Sequence, residues 1–152
     1  ASRCVAGFFH RNYLLRMRAA VHRLFPGSWL VQGIEGSIEC RAGRTTRLYP
    51  ADEAAEPLVV EAPRLGFATS DDTEVPADPA VHAEITRSIL ADRPSPSRDT
   101  ALLTAGVLLY VSGRTDRLAD GIEQARTTLA DGKAFRLLQQ WLETVRTSVP
   151  SS

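Results

Sequence analysis

The feature that most restricts what this chain can fold into is a run of three helical patterns between Arg98 and Leu142. Leu102, Leu103, Val107, Leu109 and Tyr110 make a helix apolar nearly all round, which demands burial on most of its sides. Gly113 is placed to close it in the left-handed conformation that favours glycine. Leu118, Ile122, Ala125 and Leu129 then recur at i, i+4, i+7 and i+11 on one face of a second helix, with Asp116 as its expected N-cap and Gly132 as its stop. Phe135, Leu138, Leu142 and Val145 repeat that face in a third helix. Packing alone accounts for all of these positions.

Ahead of the helices the period changes. Val5, Ala6, Phe8 and Phe9 read as a short buried strand that ends at His10. Leu14, Met17, Val21 and Leu24 recur at helical spacing, and Pro26-Gly27 turns the chain into a second strand, Ser28 to Gln32. Two strands joined by a helix of this length form a βαβ unit, for which parallel pairing with a right-handed crossover is expected. Thr45 to Tyr49 and Leu58 to Glu61 are two further strand candidates, followed by a long loop from Pro63 to Pro79. A helix carrying Ala80, Ala83, Ile85, Ile89 and Leu90 then leads to the break at Pro94-Ser95-Pro96-Ser97. The fold class that follows is α/β: a small, mostly parallel sheet with packed helices, ending in a run of three helices. Residues 1–147 are expected to form a single domain, with 148–152 a frayed tail.

With 43% hydrophobic residues the chain has the means to bury a core, and it holds no apolar run long enough for a membrane span. No signal-peptide architecture stands at its start, so the expected setting is cytoplasmic, with no membrane partner. Cys4 and Cys40 lack metal-like spacing and read as small reduced core residues. Trp29 and Trp141 read as core aromatics. The net charge is zero but unevenly spread: residues 1–50 sum to +6, residues 51–92 to −8 and residues 93–152 to +2. A basic first third points to a phosphate-bearing partner or to an acidic face elsewhere in the same molecule.

Several consecutive pieces carry a resemblance. Asp99 to Ala105 (D-x-x-L-L-x-A), Leu109 to Gly113 (L-Y-V-x-G), Leu118 to Ala125 (L-x-x-G-I-x-x-A) and Asp131 to Leu138 (D-G-K-A-F-x-x-L) stand in the order and spacing of the C-terminal end of the anthranilate phosphoribosyltransferase family. The strand ending G-F-F-H, the Y-L-x-x-M-R helix and the G-x-E-G turn resemble the middle of the same family. The resemblance runs from about Val5 to Val145 and covers only the C-terminal portion of the family's usual length. It implies a partial version of the phosphoribosyltransferase large domain, cut from a longer protein whose N-terminal part is a missing partner. The family's helical N-terminal domain, its Gly-Thr-Gly-Gly-Asp pyrophosphate loop and its anthranilate-contacting segment have no counterpart here.

What the resemblance implies about function is phosphoribosyl transfer from phosphoribosyl pyrophosphate to an aromatic amine, with Mg2+, in tryptophan biosynthesis. This segment alone is expected to be inactive. An Asp-Glu pair holds magnesium in the family's enzymes; here Ile38 stands at the aspartate position and Glu39 remains as the metal candidate, with Glu35 close enough in sequence to substitute. No catalytic residue is assigned. Arg11, Arg16, Arg18 and Arg23, on and beside one helix, are candidates for phosphate or nucleic-acid binding, against the plainer reading of a solvated helix face. Some members of this family resemble nucleic-acid-binding proteins. A diverged, non-catalytic paralogue that binds nucleic acid through its basic surface is therefore the alternative, favoured by Ile38, the basic first third and Thr104, where the enzymes are expected to carry asparagine. His10, His22 and His82 form no triad or i, i+4 metal pattern, and no nucleotide-cofactor, zinc or haem motif is present.

Overall fold

In the chain's first βαβ unit the connecting helix is amphipathic and the strands are short. The computed structural model describes residues 3–32, 38–68 and 77–148. Strand β1 (Val5–Gly7) and strand β2 (Trp29–Gln32) pair in parallel, with helix α1 (Leu14–Leu24) between them in the chain. A 3-10 turn at Arg11–Tyr13 leads into α1. Strand β3 (Thr46–Pro50) then pairs antiparallel with β2, and β4 (Leu58–Val60) antiparallel with β3, in the order β1-β2-β3-β4. The expectation of a mostly parallel sheet is corrected here: one junction is parallel and two are antiparallel, so the sheet is mixed. The short link from β3 to β4 holds no helix. An antiparallel return needs none, whereas a parallel one requires a crossover of a dozen or more residues.

Side chains alternate across the strands, and each face of the sheet meets a different helical layer. Leu30 and Tyr49, opposite one another in the β2–β3 register, join Phe8 and the α1 residues Leu14, Met17 and Val21. Val31, Leu48 and Val60 point the other way, into the main core. That core is completed by helix α3 (Pro96–Val111) and helix α4 (Leu118–Ala130), through Leu102, Leu103, Val107, Val111, Ile122, Ala125 and Leu129. Helix α2 (Pro79–Leu90) and helix α5 (Lys133–Ser148) lie further out.

The run of three helices forms as its apolar spacing requires. Ser95 caps α3 by accepting from the Arg98 N–H at 3.1 Å, and Gly113, at φ +75°, ends the helical stretch. The N-cap of α4 is Arg117, without a side-chain cap hydrogen bond, so Asp116 is not the cap expected of it. The α3–α4 contact is the most extensive between any two helices, and glycine makes it possible. A Cβ on Gly106 would lie 2.8 Å from the Ile122 Cα, and one on Gly121 would lie 2.5 Å from the Gly106 carbonyl oxygen. Helix α5 departs from expectation: Phe135 and Leu138 are half-buried, but Leu142, Val145 and Trp141 are exposed, the last at 59%. Trp29, in contrast, is tucked against the core, its ring centroid 5.9 Å from that of Tyr110. No helix among the described residues is long and apolar enough to cross a membrane.

Candidate functional site

In open sheets with parallel strands, ligands collect outside the carboxyl ends of those strands. Here those ends belong to β1 and β2. Beyond β1 come Phe8, Phe9, His10 and the 3-10 turn; beyond β2 the chain passes through residues 33–37, which lie outside the described residues together with Glu35, and returns at Ile38-Glu39-Cys40. The backbone N–H of Cys40 donates to Thr104 Oγ1 at 3.1 Å, tying this segment to α3. Thr104 thus has a structural task that its appearance as a departure in the sequence did not reveal.

Glu39 is half-exposed and engaged: Arg41 Nε donates to its Oε2 at 3.3 Å and Arg41 Nη2 stands at the same distance. Among the described residues no three His, Cys, Asp or Glu side chains gather in a way that could hold a metal ion. Magnesium takes oxygen ligands in near-octahedral geometry, using one or two carboxylates together with water and substrate phosphate. The described residues offer a single carboxylate beside apolar Ile38, and so do not by themselves fit a protein-held magnesium site.

The four arginines do not share one surface. Arg16 and Arg23, seven residues apart on α1, lie on one face and are exposed, as is Arg11 in the 3-10 turn. Arg18 is only 8% exposed. Its Nη2 donates to the carbonyl oxygens of Asp52 and Ala55, the second at 3.2 Å, so it pins the β3–β4 connection against α1. Placing Arg18 in a solvated phosphate-binding stripe is therefore corrected: two residues beyond Arg16 a helix has turned about 200°, away from the Arg16 side.

The sequence reading missed the aromatic side chains here. Phe9, assigned to a buried strand, is 56% exposed, and Tyr13 is 54% exposed. His10 stands between them, its ring centroid 4.4 Å from that of Phe9, edge to face, and 6.3 Å from that of Tyr13. Strand alternation from buried Phe8 was the available signal. The result is an exposed row of three rings, with Arg11 in the same turn and Arg16 one helical turn beyond Tyr13.

The family model described as "Glycosyl transferase family, a/b domain" matches residues 1–135. Among curated relatives, the anthranilate phosphoribosyltransferase of Stenotrophomonas maltophilia (strain K279a) is 36% identical over 85 residues, 55% of this chain and 25% of that protein. The enzyme of the same name from Thermus thermophilus is 30% identical over 143 residues, 93% of this chain and 43% of that protein. The chain therefore spans less than half the length of these relatives. A crystal structure of anthranilate phosphoribosyltransferase from Thermus thermophilus superposes with a TM-score of 0.75 at 26% identity, covering 92% of this chain and 42% of that one. For the fold alone, the Saccharomyces cerevisiae enzyme, solved in complex with PRPP and Mg, gives a TM-score of 0.81 at 19% identity over 96% of this chain and 43% of its own.

Proposed function

The chain belongs to the glycosyl transferase family as its a/b domain, in the branch that resembles anthranilate phosphoribosyltransferase, and from that premise we propose that it is the α/β portion of a phosphoribosyl-transferring protein. The reaction is transfer of a phosphoribosyl group from phosphoribosyl pyrophosphate to an aromatic amine, as in tryptophan biosynthesis, in the cytoplasm. Residues 1–147 act as one domain that works with a further part of the polypeptide and does not turn over alone. The observation that carries this reading is the place of Glu39, which follows the carboxyl end of β2 and stands next to Cys40, whose backbone N–H is held on α3 by Thr104. There it would supply one carboxylate to a magnesium–diphosphate pair whose other ligands lie outside the described residues. Bound magnesium would neutralise diphosphate charge in such a reaction, with Glu39 as this segment's candidate ligand.

Calorimetric titration of the chain with phosphoribosyl pyrophosphate, with and without magnesium, tests this. Weak binding that needs magnesium and is lost in Glu39→Gln is the expected result. Binding indifferent to both magnesium and Glu39 would sink the assignment.

A second reading is favoured by the row of Phe9, His10 and Tyr13 flanked by Arg11 and Arg16. Exposed rings beside arginines are what a single-stranded nucleic acid uses for base stacking and phosphate pairing. If this reading holds, the anisotropy of a labelled single-stranded oligonucleotide rises at low salt and falls steeply with added salt. Tyr13→Ala weakens it by roughly 1–3 kcal/mol. Absence of binding at low salt removes this reading.

A further inference from the structure

Between α2, α3, α4 and the first turn of α5 lies an apolar groove of about 520 Å³. That volume falls within the roughly 300–1,000 Å³ of small-molecule sites. Buried Leu102, Ala125 and Leu129 line it, and Ala101 and Ala105, where larger side chains would fill the space, leave it open. Of its four polar residues, two are already engaged: Ser112 Oγ donates to the Leu109 carbonyl at 2.9 Å and Thr128 Oγ1 to the Gln124 carbonyl at 2.8 Å. The Arg114 guanidinium and the Gln124 carboxamide have no partner among the described residues. No acidic residue lines the groove, so exposed Arg114 is the one charged residue of its otherwise largely apolar lining.

We propose that this groove binds a small amphipathic carboxylate, its apolar body against Leu102 and Leu129 and its carboxylate on Arg114. Charge complementarity selects the ligand class. A neutral apolar molecule gains no ion pair from solvated Arg114, and an amphipathic cation meets it with the same sign. A guanidinium presents donors in a fork that matches a carboxylate, so the pair is directional as well as electrostatic. The groove lies among the helices that follow the sheet, and its lining shares no residue with the segment around Glu39.

Ligand-observed NMR and calorimetry with octanoate and with 1-octanol, on the whole chain at low salt, test the proposal. Octanoate is expected to bind roughly fivefold more tightly than octanol, the scale of one partly exposed ion pair. Arg114→Gln should bring octanoate down to the affinity of octanol without changing octanol. Ala105→Phe should abolish both by filling the groove. Should that variant melt early by circular dichroism, Ala101→Leu takes its place. Equal binding of the two probes that ignores Arg114→Gln, or no binding of either, overturns the proposal. So does a concentration-dependent dimer in sedimentation that Ala105→Phe dissociates, since a second copy would then occupy the groove.

Discussion

Cys40 is fully buried beside Thr46, and burial pushes its thiol from an ordinary value of 9.0 up to about 11, against a smaller lowering by a hydrogen bond from Thr46. A thiol raised in the folded state contributes stability that is complete below the unfolded value and is lost as the pH climbs through the folded one. Urea unfolding should therefore show stability falling between pH 9 and 11, by at most about 2–3 kcal/mol from this group. Cys40→Ala should flatten that part of the profile, and a profile it leaves untouched would assign the loss elsewhere. The sequence allowed Cys40 to be read as a small core residue, since its spacing to Cys4 suits no metal. Arg18 was misplaced for a reason that is not local: a helix projects residues two apart to different sides, and the carbonyls of Asp52 and Ala55, distant in the chain, decide which side is inside.

At the scale of elements, α4 was legible because a 3.6-residue apolar period survives any tertiary detail, and α3 because it is apolar nearly all round and closed by Gly113. How closely the two helices approach was not. Gly106 reads in the sequence as a weak spot in a helix, one that alanine would improve by about 1 kcal/mol on propensity alone. The contact with Ile122 reverses that sign. Gly106→Ala should destabilise the protein by about 1–3 kcal/mol in chemical denaturation, because the new methyl group meets backbone that cannot move aside. A neutral or stabilising result would mean that the α3–α4 pair separates at little cost. The amphipathic pattern of α5 was equally legible, yet its apolar face stays largely open, with Leu137 65% exposed. Periodicity states which face is apolar, and only the surrounding elements state whether anything covers it.

For the whole molecule, the sequence by itself determined the α/β class, the βαβ opening, the closing run of three helices and the family. All of these rest on short-range spacing, turn residues and consecutive motifs, which the chain carries locally. The short link from β3 to β4 already requires an antiparallel return, but the longer one from β2 to β3 admits either sense, and tertiary structure alone decided it. It also decided which candidates gather at the carboxyl ends of β1 and β2. Glu39 was visible as a residue, but its pairing with Arg41 and the anchoring of its neighbour Cys40 through Thr104, which is 64 positions from Cys40, were not. The exposure of Phe9 follows strand alternation from Phe8, but Arg18 left the surface because burial is a property of what packs nearby, and its partners Asp52 and Ala55 are remote in the chain.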